Sequence, residues 1–132
     1  MKSAAKLGLV LLLLSAAGAP TPSAQTVQLN RVMHAKLDHA KNILEAVVTS
    51  NWRQLESESR EIARATQDPA WTVLTMPEYI SHSQAFVRAT DNLIEAARLR
   101  DLESASLGFI SLSSSCVSCH RYLARARIAT RP

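Results

Sequence analysis

Glycine is scarce in this chain of 132 residues, with three in all, and aromatic side chains make up 5% of it. No stretch alternates apolar and polar residues as a half-buried strand would, so a sheet protein is set aside. Cysteine is limited to Cys116 and Cys119. Two cysteines cannot make a disulfide framework. With no second C-x-x-C and no H-x-x-x-H, a four-ligand structural zinc site also lacks half of its ligands. A large excess of one charge is missing too: 15 Lys and Arg stand against 11 Asp and Glu. That balance does not point to nucleic acid.

What is present begins with "MKSAAKLGLVLLLLSAAGAPTPSAQ". Lys2 and Lys6 give a basic start, residues 7–14 an apolar run too short to span a bilayer, and small residues follow. This is the layout of a secretory signal peptide covering residues 1–24, with cleavage expected after Ala24 in a window from Gly18 to Gln25. No cysteine follows the apolar run, so lipid attachment there is excluded. The mature domain, residues 25–132, loses Lys2 and Lys6 and keeps all 11 acids, for a net charge of +2. It is one domain by size, exported, and not inserted in a membrane after cleavage.

The mature chain shows helical spacing almost throughout. A first helix is expected over residues 27–49, with Leu29, Met33, Leu37, Ala40, Leu44 and Val47 on its inner stripe. Ser50 or Asn51 caps a second helix over residues 52–67, where Trp52, Leu55, Ile62 and Ala63 face inward and Ser59 interrupts them. After a connection containing Pro69 and Pro77, Thr75 and Glu78 read as a capping box for a third helix with Tyr79, Phe86, Thr90, Leu93 and Ala97 inward. Asp101 caps the fourth, whose stripe is Leu102, Ala105, Phe109, Leu112, Cys116, Cys119 and Leu123. Mostly short links make neighbours antiparallel. The fold class is all-α, an up-down-up-down four-helix bundle.

The stripe of the fourth helix runs straight through "SSSCVSCHRYL" without a slip. A thioredoxin-like C-x-x-C would follow a strand, and none precedes it. A disulfide between residues three apart in a helix would be strained and close almost no loop. Cys116, Cys119 and His120 stand at i, i+3 and i+4, on one helical face. Two thiols there can form thioethers with haem vinyl groups while His120 reaches the iron, and C-x-x-C-H is the recognised attachment pattern. Export agrees. The sequence reads as a c-type cytochrome with one covalent haem.

The motif sits near the C-terminus, on the last of four helices. That arrangement resembles the class II cytochromes c, the cytochrome c′ family and its low-spin relatives, over the whole mature chain. The resemblance implies a periplasmic haem protein with the cofactor between bundle helices, His120 as proximal ligand, and often dimerisation through the first two helices. Three and four positions after the histidine, where the family often has a tyrosine and a basic residue, this chain has Leu123 and Ala124; Tyr122, Arg121 and Arg125 are out of register.

Function then turns on the sixth position of the iron. Met33, in "NRVMHAKL", looks like the early first-helix methionine of the low-spin members, which gives a six-coordinate electron carrier. An open sixth site would instead give a five-coordinate binder of small gases, with Met33 as packing. His39 or His34 are the remaining candidates, although both read as boundary residues, and His82 reads as exposed on the outer side of the third helix. Phe86, Thr90, Leu93, Phe109 and Leu112 are assigned to the haem pocket. Gly108 and Ser113 to Ser115 either leave room for the macrocycle or mark a bent, loosely packed helix. The expected role is electron transfer with redox protein partners and no catalysis of its own; of the basic end (Arg121, Arg125, Arg127, Arg131), the first three are expected to steer an acidic partner. An exported C-x-x-C thiol module is the reading outside haem proteins.

Overall fold

The computed structural model describes residues 24–72 and 74–129, apart from the side chains of residues 25, 26 and 127–129. Residues 1–23, which hold all but the last residue of the expected signal peptide, and Arg131, with the side chain of Arg127, lie outside the described residues. Four helices follow one another: α1 (Ala24–Val48), α2 (Trp52–Ala65), α3 (Pro77–Leu99) and α4 (Leu102–Ala129). They form a four-helix bundle in which each packs on its sequence neighbours and α1 meets α4 along only a short stretch. Among the described residues there is no strand, and no helix is long and apolar enough to cross a membrane.

The turns show how a chain poor in glycine reverses direction. Ser50 (φ 51°) and Arg100 (φ 53°) take the left-handed conformation that ends α1 and α3. Asn51 accepts a hydrogen bond from the Gln54 amide at 3.2 Å and starts α2. Asp101 accepts from the Ser104 amide at 3.1 Å and the Ser104 hydroxyl at 2.6 Å, capping α4 as expected. The capping box at Thr75 and Glu78 does not form. Met76 is the N-cap without a side-chain bond, and Pro77 stands at the first helical position. Its fixed φ and missing N–H suit that place, so the helix begins one residue later than the box requires.

The core is continuous from α1 to α4, with Ile43, Leu55, Ile62, Leu93 and Leu112 fully buried. On α1 the buried line is Val32, Lys36, Ile43, Ala46 and Val47, whereas Leu37 and Leu44 are exposed. The helix is turned by about one residue from its expected stripe, because α2 is its main neighbour and takes the Val32–Ile43 side. On α2, Ala63 is half-buried while Ser59 is fully buried, and the Ser59 hydroxyl has no partner among the described residues. On α4, Leu102 is exposed, and Gly108 is buried where a Cβ would stand 3.1 Å from the Leu93 side chain. Gly108 therefore lets α3 and α4 approach closely. Ser106, Ser111 and Ser113 return their hydroxyls to carbonyls one turn back, a habit that bends helices slightly.

Two outcomes follow from the turns. Arg100→Gly should raise stability by about 0.5–1 kcal/mol, since a side chain is penalised at positive φ and glycine is not; a lower urea midpoint would contradict this. The bonds from Ser104 hold the Asp101 carboxyl below its ordinary pKa. Its contribution is thus present above the ordinary carboxylate range and is lost as pH falls through the lowered value. Asp101→Asn should flatten that part of the acid-unfolding curve.

Candidate functional site

Because α4 leans on α3 and only grazes α1, a cleft of about 440 Å³ opens at the α1 start and the α4 end. Its size is that of a small-molecule or cofactor site. On α4 the wall is Ser115, Cys116, Val117, Cys119 and His120; on α1 it is Asn30, Met33, His34, Lys36, Leu37 and Ala40. Trp71, His82 and Phe86 complete it. The motif and Met33 therefore face one space from opposite sides. Cys116 and Cys119 are free thiols, both half-buried. Burial pushes the Cys119 thiol up, against the nearby charge of Lys36.

Not every expected site residue reaches this cleft. Phe86 does, but Thr90, Leu93 and Leu112 are fully buried in the core beyond it, and Phe109 packs against that core. Thr90 donates its hydroxyl to the Phe86 carbonyl at 2.9 Å. His34 lines the cleft from an exposed position. His39 turns to α2, where its Nδ1 lies 2.7 Å from a Glu58 carboxylate oxygen. His82 is half-buried in the cleft wall, its ring centroid 5.6 Å from that of Tyr122, and not on the outer side of α3. The reason is that α3 packs on both α2 and α4. Its inner arc is wider than one stripe and takes in Ala89, Ala96 and His82.

Two residues of the cleft carry no motif. Trp71 comes from the α2–α3 connection and is buried. Asp68 ties that connection down by accepting from the Ala70 amide at 2.8 Å and the Gln28 amide group at 3.1 Å. The Trp71 carbonyl accepts the Tyr79 hydroxyl at 2.5 Å, and its ring meets Phe86 with centroids 5.4 Å apart. Lys36 is 7% exposed, with its ammonium 3.7 Å from the Trp71 ring centroid and 3.6 Å from that of Phe86. Among the described residues, no carboxylate lines the cleft. A lysine in register with Val32, Ile43 and Val47, and a lone tryptophan between two prolines, were the available signals.

Burial lowers the Lys36 pKa to about 8 from its ordinary 10.5, while the charges of Cys116 and Cys119 act to raise it. Between those two values the unfolded chain holds a proton that the folded chain has released. Stability therefore rises with pH across that window, and the full penalty applies below it. In the bare polypeptide, Lys36→Met should add up to about 3 kcal/mol at neutral pH, the worth of the shift. The gain should shrink as pH approaches 10.5, as read by urea melts. Equal stability of the two proteins at pH 7 would contradict this.

Comparison of the chain with family models, with curated proteins and with solved structures gives no match.

Proposed function

We propose that this chain is an exported, monohaem c-type cytochrome that transfers electrons, with the haem bonded through Cys116 and Cys119, His120 as proximal ligand and Met33 as sixth ligand. One observation carries the reading: the thiols and histidine of the α4 motif and the Met33 thioether of α1, more than 80 positions away in sequence, line a single apolar cleft of about 440 Å³. The donor set suits haem better than a bare metal ion. Among the described residues no group of three or more His, Cys, Asp or Glu gathers to hold one. Bound haem would supply a one-electron couple, and a thioether ligand favours its reduced form.

The chain's own residues would do the rest. Half-buried Cys116 and Cys119 anchor the group to α4, and His120, next in the helix, orients it from the same side. Buried Trp71 and Phe86, with half-buried Ala40, would keep water away. Exposed Arg121 and Arg125 stand within a turn or two of His120, where they would guide an acidic redox partner. A second reading, a five-coordinate binder of small gases, is favoured by one fact. Met33 also packs against the core cluster, as a methionine serving only as filler would.

Cys116→Ala with Cys119→Ala should abolish the haem stain that survives denaturing electrophoresis. Loss of the cofactor should also lower the melting temperature, because ligand binding stabilises the folded state. A stain unchanged in the double variant would remove the attachment claim. If Met33 binds iron, the oxidised wild type is low spin with a weak far-red sulfur-to-iron band. Met33→Ala should lose that band, lower the potential and bind carbon monoxide quickly when reduced. A wild type that is high spin and already takes up carbon monoxide would instead favour the gas-binding reading.

A further inference from the structure

Neither reading uses Lys36. An amine this deeply buried, in a cleft with no carboxylate among the described lining residues, needs another partner if it is to keep its charged form. Here that is a pair of ring faces, Trp71 and Phe86, each less than 4 Å from Nζ. Cation–π attraction acts on the cation and strengthens when water is excluded. The ring faces are fixed in turn: Trp71 through the Tyr79 bond to its carbonyl, and Phe86 within the helical core. With a pKa of about 8 the amine still carries its proton at neutral pH. Lys36 lines the same cleft as Cys116 and Cys119, which sets the charge beside the cysteines.

We propose that Lys36 is a positioning charge for the group in this cleft: its ammonium, pinned on Trp71 and Phe86, favours the reduced form and raises the reduction potential. The inference rests on the haem reading. Reduction adds one electron, delivered by the redox partner, so the site gains negative charge beside a fixed positive one. No bond forms or breaks at Lys36, which keeps its proton throughout. Salt screens a buried charge far less than an exposed one. The effect should therefore persist at high ionic strength, unlike any contribution from the exposed Arg121 and Arg125.

The test is a spectroelectrochemical titration of the haem-loaded protein at pH 7, in low and high salt, for the wild type, Lys36→Gln and Lys36→Arg. Lys36→Gln should shift the equilibrium about tenfold toward the oxidised form, about 59 mV for one electron, at both salt concentrations. Covalent haem and the axial-ligand bands should stay in place, and Lys36→Arg should remain near the wild type. Should the glutamine variant fail to fold, Lys36→Met fills the same volume without charge and gives the same comparison. An unmoved or raised potential in the neutral variants overturns the inference. So does an equal fall in Lys36→Arg, which would mark packing and not charge. Wild-type protein without covalent haem overturns the haem reading and this inference together, whereas a haem protein whose potential ignores Lys36 overturns this inference alone.

Discussion

The close approach of α4 to α3 governs the rest of this structure. Gly108 removes the one side chain that would press on Leu93, and buried Ala105, Leu112 and Ser115 continue the seam. A helix bound that tightly to one neighbour turns away from the other. The space left between α1 and α4 is therefore a consequence of packing, open where Cys116, Cys119 and His120 emerge. Burial of fully enclosed Ile43, Leu55, Ile62, Leu93 and Leu112, each worth about 1.5–3 kcal/mol, keeps the bundle together without that side of α4.

The same arrangement explains why an irregular segment reaches the cleft. The α2–α3 connection is short of regular structure but not loose, because Asp68 ties it to Gln28 and to its own backbone. It delivers Trp71 to a place that no helix stripe could supply. Trp71 and Phe86 then make a surface for a cation in a cleft with no carboxylate among its described lining residues. One tied loop thus links the fold to the electrostatics of the site.

Much of this was legible in the sequence, for identifiable reasons. Helix number and type came from apolar spacing, and Asp101 and Asn51 capped their helices as their chemistry requires. The C-x-x-C-H spacing placed three side chains on one face, and they do line one cleft with Met33. Rotation was harder to read. On α1 two apolar lines compete, and only the presence of α2 selects Val32 and Ile43 over Leu37 and Leu44. The position of His82 likewise depends on α3 having two neighbours. Lys36 was hidden for a different reason. A lysine is ordinarily a surface residue, and its burial depends on ring faces contributed by Trp71 and Phe86, 35 and 50 positions away. Thr90, Leu93 and Leu112 fit a core as well as a pocket, and periodicity alone cannot separate the two.

Intact mass of the protein purified from an exporting, haem-competent host, combined with thiol titration, tests the central claim most directly. Covalent haem predicts a mass equal to the mature polypeptide plus one haem, with no reactive thiol in the denatured protein. A mass equal to the polypeptide alone, with two titratable thiols or one disulfide, would contradict it.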